Sequence, residues 1–263
     1  MSAGLTAAPP RVAGSPTGPP RTLDLDAIER LTEAEAVALL HDGARFTQPL
    51  FHAVRDRTPP GFKAELIEGI VHVAGPLARP HGLSHLGFGT LLGLHETGTP
   101  GVGPADDTSV VLTGTAENQP DLHPRVRHDH GGRSRMSSTD GRRRVGSGDD
   151  GNHLTTGPAF VSEIPCSTVR VGRDPKRRNF AAGGVREYVV AHAETRVLHG
   201  WAFTADAEEE ITVPDDGVLR SRATPGLWPN GPAIFGRRGR EARRTLQVGL
   251  AAHGADAAAD AGG

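Results

Sequence analysis

The sequence predicts an α/β fold whose central order is helix, three strands, helix, strand, with a hairpin ahead of it and further strands behind. Three observations predict it. Short β-branched or apolar runs such as "TSVVL", "AFVSEI" and "VREYVVAH" alternate with segments that carry helix start and stop signals. Hydrophobic residues make up 36% of 263 positions, enough for one generous core. The 35 glycines and 21 prolines place much of the remaining length in turns and loops. The reading is one domain over residues 23–236, with a disordered leader at 1–22, a disordered insertion at 123–156 and a mobile tail at 237–263.

The leader "MSAGLTAAPPRVAGSPTGPPR" is broken by prolines and has no continuous apolar run, so it reads as a disordered leader rather than a signal peptide. "LTEAEAVALLHDG" then supplies Thr32 as N-cap, Glu35 as its capping-box partner and Gly43 as a stop. "FKAELIEGIVHVAG" reads as two short strands turning at Glu68-Gly69, with Glu65 on the first. A helix follows from Pro80 to Glu96, its approximate stripe made by Leu83, Leu86, Leu91 and Leu94, and Gly98 ends it.

Thr108–Leu112 is a compact strand, "QPDLH" opens another beside Asp121, and "AFVSEI" is a third that ends near Glu163. Asp174-Pro175 starts a helix of about two turns that stops at Gly183-Gly184. "VREYVVAH" is a buried strand, a hairpin leads through "AET" to "RVLHGWAF", and "EEITV" adds one more. Between His123 and Thr156 the charged, glycine-rich run has almost no apolar periodicity, so disorder is expected there. "HDH" at His128–His130 lacks a second cluster that would make it a metal site.

Composition narrows the function classes. A net charge of -2 gives no global electrostatic footprint for nucleic acid, so any such binding must come from local patches. A single cysteine, Cys166, excludes an internal disulfide and a cysteine-based zinc site, and suits a reducing compartment. No apolar stretch is long enough to span a membrane, and the expected location is the cytoplasm.

Three acids at strand positions, Glu65, Asp121 and Glu163, and Lys176 at a helix start form the one constellation with chemical meaning. Phosphodiester hydrolysis asks for a hard divalent cation on oxygen ligands and a nearby ammonium, which these residue types supply. Lys176 and Phe180, four apart, share a helix face, so anchoring Phe180 in the core would aim Lys176 along the sheet toward the acids. Arg170, Arg173, Arg177 and Arg178 are candidates for phosphate contacts, although each could equally belong to a solvated helix face.

The segments "KAELIEGIVHVAGPLARPHG", "QPD", "FVSEIPCST", "KRRNFAAGGVREYVV" and "DGVLRSRATPGLWPN" resemble the Uma-two family of restriction endonucleases, within the PD-(D/E)-x-K nuclease superfamily. The resemblance spans roughly Phe62 to Asn230 apart from the insertion. It implies a restriction-endonuclease-like core and a magnesium- or manganese-dependent endonuclease acting on nucleic acid, DNA above all. A homodimer is compatible with it. It also implies roles: Asp121 and Glu163 as metal ligands close enough to share one cation, Lys176 assisting the attacking water, and Glu65 supporting the site. The chain departs from the family pattern with Gly172 where an aspartate is usual and Phe180 where a tyrosine is usual. Two other classes stay open: a catalytically inactive nucleic-acid-binding module and a protein-interaction remnant of the same fold.

Overall fold

Capping chemistry sets the first helices. Asp24 accepts the Ala27 N–H at 2.7 Å to start α1 (Leu25–Glu29), and the Thr32/Glu35 box opens α2 (Glu33–Leu39) as read from the sequence. The protein, seen here as a computed structural model, is described over residues 23–136, 153–165 and 174–261; the expected leader, Cys166, Arg170, Gly172 and Arg173 lie outside them.

Helix α3 (Gln48–Arg55) packs with α1 and α2 around Ile28, Ala36, Leu40, Phe51 and Val54, closing over strand β1 (Ala64–Ile67) and its hairpin partner β2 (Ile70–Val73). The hairpin turns at Glu68 (φ 51°) and Gly69 (φ 77°), the two consecutive positive-φ positions that match the twist of paired strands. A buried carboxylate ties this unit together. Glu117, fully enclosed on β5 (Ala116–Asn118), meets Arg55 at 2.8 Å, Gln48 at 2.7 Å and His52 at 3.1 Å.

The chain continues through α4 (Arg79–Gly98), β3 (Val102–Asp106), β4 (Val110–Thr113), β5 and β6 (Leu122–Val126), then β7 (Phe160–Glu163), α5 (Asp174–Ala182) and β8 (Glu187–His192). It ends with β9 (Val197–Phe203), β10 (Glu208–Ile211), α6 (Gly231–Phe235) and α7 (Gly239–Ala261). Two sheets result, one in the order β2-β1-β5-β4 and a larger one in the order β10-β9-β8-β7-β6-β3, with β7 and β8 parallel across α5.

Strand alternation divides the large sheet into two faces. Leu122, Phe160, Ile164, Val189 and Leu198 pack beneath α4, α6 and α7, against Phe88, Leu91, Leu92, Ile234 and Leu246. Val161, Tyr188, Val190 and Trp201 face the other way, against Phe180 of α5 and Leu112 of β4. Glu163 therefore points toward α5 and the small sheet.

Several expectations need correction. The strand expected at Thr108–Leu112 lies in the small sheet, and the large sheet takes β3, "VGPAD", in its place. Glycine and proline hide that strand from a propensity reading, and its edge position tolerates Pro104. In the polar stretch 123–156, His123 and Pro124 are buried in β6, and Leu154 is buried while bridging Val110 and Met136. Long-range pairing orders these flanks where local pattern has nothing to detect. Residues 137–152 lie outside the described set. The tail expected to be mobile forms α7, whose Ala242, Leu246 and Leu250 recur every four residues and pack on the α4 side of the core. Gly98 permits that approach, since a Cβ there would stand 2.7 Å from Leu250. Among the described residues no helix is long and apolar enough to cross a membrane.

Candidate active site

Register places the acids. Leu122 of β6 pairs with Ser162 of β7 in antiparallel fashion, so the preceding Asp121 falls opposite the following Glu163, on the face away from Leu122. Directly opposed residues of this kind hold their Cβ atoms about 5 Å apart. Asp121 is fixed further by its Oδ2, which accepts the Ile164 N–H at 2.6 Å.

Lys176 arrives from the first turn of α5. One turn on, Phe180 is fully buried and 5.2 Å from the Tyr188 ring, and that anchor turns the lysine inward. Its Nζ donates to Glu163 Oε1 at 3.0 Å and lies 2.7 Å from Glu65 Oε2. The other Glu65 oxygen accepts the Gln119 N–H at 2.7 Å, which locks β1 to the segment leading into Asp121. Glu65, Asp121, Glu163 and Lys176, far apart in sequence, thus meet between the two sheets.

Three carboxyl groups face one ammonium in a place with little water: the side chains of Lys176, Glu163 and Glu65 are 12%, 13% and 18% exposed. Burial drives the Glu163 pKa up; Lys176 opposes this while Asp121 and Glu65 add to it, and the balance stands at about 8. Asp121 is raised by burial too, against the pull of His81, the Ile164 N–H and Lys176. Burial lowers Lys176, but Glu163 and Glu65 outweigh it and hold the ammonium well above the usual lysine value. Lys176, whose two carboxylate contacts favour the charged amine, holds its proton more tightly than Glu163 does. What the cluster lacks is positive charge.

The sequence reading missed two histidines. On α4, His81 and His85 stand one turn apart with stacked rings at 5.6 Å. His81 Nδ1–H donates to the Ile164 carbonyl at 2.6 Å, and its Nε2 lies 3.7 Å from Asp121 Oδ1; His85 Nε2–H donates to the Asp121 carbonyl at 3.1 Å. The available signal was "HGLSH", two histidines on one helix face with His81 in line with the buried Ser84 and Phe88.

The arginines are placed less centrally. Arg177 lies 5.1 Å from the centre of the Trp201 ring and pairs with Glu208 at 3.1 Å, while Arg178 pairs with Glu68 at 2.8 Å. Arg170 and Arg173 are outside the described residues. Among the described residues, no group of three or more His, Cys, Asp or Glu side chains is already arranged to hold a metal ion. Glu65 and Glu163 are turned onto Lys176 instead.

No protein-family profile and no curated protein matches the chain. Among solved structures, it is similar to one from Anabaena variabilis, titled as a candidate nuclease belonging to DUF820, another designation of the Uma-two family. The TM-score is 0.57, over 73% of this chain and 98% of that chain, at 11% sequence identity. The shared property is the fold. It is a mixed α/β architecture.

Proposed function

We propose that the protein is a divalent-cation-dependent nuclease that hydrolyses phosphodiester bonds in nucleic acid, with DNA as the expected substrate. One observation carries the reading: three half-buried acids, on β1, just before β6 and at the end of β7, gather around a single lysine from α5 that pairs with two of them, so that carboxyl groups outnumber cations in a fold similar to that of a candidate nuclease. A hard cation suits that donor set, with Asp121 and Glu163 as the residues that would hold it. When bound, such an ion polarises a phosphoryl oxygen and lowers the pKa of a water.

The remaining work falls to the protein's own groups. Lys176 has three N–H donors, two of which are directed at Glu65 and Glu163, so the third can meet a phosphate oxygen or orient a water. Glu65 sets the reach of Lys176. His85 and the Ile164 N–H fix Asp121 at both its backbone and its carboxylate. Arg178, 57% exposed, is the better placed of the two described arginines to approach a phosphate, at the cost of its pairing with Glu68.

A second reading rests on the same ion pair. Lys176 closed on two carboxylates is also what a structural core or a binding module requires, with no chemistry attached. A cleavage assay on plasmid, linear duplex, single-stranded DNA and RNA, with magnesium or manganese against chelator, separates them. The expected outcome is metal-dependent cleavage that Asp121→Asn abolishes while nucleic-acid binding in chelator is kept. Cleavage by that variant at the parental rate rejects the site, and binding without any cleavage selects the binding module.

A further inference from the structure

His81 has the geometry of a metal ligand. Its ring is 7% exposed, and Nδ1–H is spent on the Ile164 carbonyl at 2.6 Å, an acceptor that cannot donate. In the neutral ring this hydrogen bond fixes the tautomer and leaves the Nε2 lone pair directed toward Asp121. A backbone carbonyl on the far nitrogen is the usual partner of a ligating histidine.

The spacing between the two groups is informative. At 3.7 Å, Nε2 and Asp121 Oδ1 are beyond hydrogen-bond reach. Two ligands of one ion at bonds of about 2.1 Å stand about 3.0 Å apart at a right angle and about 4.2 Å apart across it. The observed separation falls between those limits. Asp121 Oδ2 is occupied by the Ile164 N–H, so Oδ1 is the oxygen left for a cation, and it is the oxygen that faces the imidazole.

We propose that His81 Nε2 and Asp121 Oδ1 together bind one divalent cation, and that this nitrogen donor makes the site selective for a first-row transition ion such as manganese over magnesium. The inference deepens the cation-dependent reading above and rests on it. An imidazole adds little for magnesium, which prefers oxygen and keeps its waters, and adds more for borderline ions.

The test uses full-length, tag-free protein and Mn2+ alone. Loss of the free-ion electron paramagnetic resonance signal reports binding, and pulsed measurements on the bound ion report a directly bonded 14N. The expected result is a nitrogen coupling in the parent that persists in His85→Ala and vanishes in His81→Ala. Mn2+ binding in the latter should weaken by about 10-fold or more, the loss that removing even an outer partner of a ligand brings. His81→Gln, which keeps a hydrogen-bonding side chain, replaces the alanine variant should that one fail to fold.

Bound Mn2+ with oxygen ligands alone, its binding lost in Asp121→Asn, overturns the histidine assignment and leaves the cation site standing. A nitrogen coupling that survives in both His81 variants overturns it as well. No Mn2+ binding at all overturns the assignment and the cation-dependent reading together.

Discussion

His123 is a buried base without a hydrogen-bond partner among the described residues, and replacing it should stabilise the protein most in acid. The residue lies on β6 opposite Ala105, on the same face as Asp121, and is 1% exposed. Among the described residues neither ring nitrogen has a hydrogen-bond partner. Burial, with Arg125 adding repulsion, lowers its pKa from 6.5 to about 4, so the folded protein holds it neutral. The unfolded chain takes up a proton near pH 6.5 that the folded chain refuses until about pH 4, so stability is lost across that window as the pH falls.

For these two pKa values the loss between about pH 7.5 and about pH 4.5 is about 2.5 kcal/mol. His123→Leu removes both the titration and the unpaired nitrogens. At neutral pH the variant should gain about 1–3 kcal/mol from no longer burying an unsatisfied polar group. Its advantage should then widen by about 2.5 kcal/mol on acidification. Urea unfolding of parent and variant, followed by tryptophan fluorescence at the two pH values, measures both quantities. A gap that stays constant to within about 0.5 kcal/mol would show that the ring is solvated or paired, and would refute the reasoning.

Leu246→Ala should cost about 2–5 kcal/mol, because the side chain is 1% exposed within the main core, and a thermal melt unchanged from the parent would mean that α7 is not docked. Lys176→Met should cost about 3–5 kcal/mol in mild alkali, where Glu163 is ionised, by leaving Glu65 and Glu163 without their cation. That loss should shrink as the pH falls through about 8 to neutral, since protonating Glu163 removes the charge left behind, and denaturant melts showing an equal loss on both sides of that value would contradict it.

Where a structural signal is local, the sequence displayed it. The Thr32/Glu35 box, the Glu68-Gly69 turn and the Asp174-Pro175 helix start each depend on residues within one turn, and each appears where the residue types place it. The four candidate site residues were visible because acids at strand ends and a lysine in register with Phe180 leave a pattern. What stayed hidden depends on distant partners. β3 is a strand through its pairing with β6, Leu154 is buried through its bridge to β4, and His81 gains its meaning from a carbonyl 83 residues away. The α7 helix was hidden by alanine and arginine content, since among its described side chains the Ala242–Leu246–Leu250 line is what meets the main core.

The direction of β6 and β7 carries a consequence for how this chain can change over time. Asp121 and Glu163 sit where β6 begins and β7 ends, whereas the link between the strands leaves from Val126 and returns at Phe160. That places the link about 10–16 Å along the strands from the acids, roughly three residue steps from Glu163 and five from Asp121. Doubling the length of such a link adds only about 0.6 kcal/mol of closure cost. A change of length at that end of the two strands is therefore separated from both carboxylates by the strands themselves. The sheet works as a spacer between the connection of β6 to β7 and a pair of side chains held at its other end.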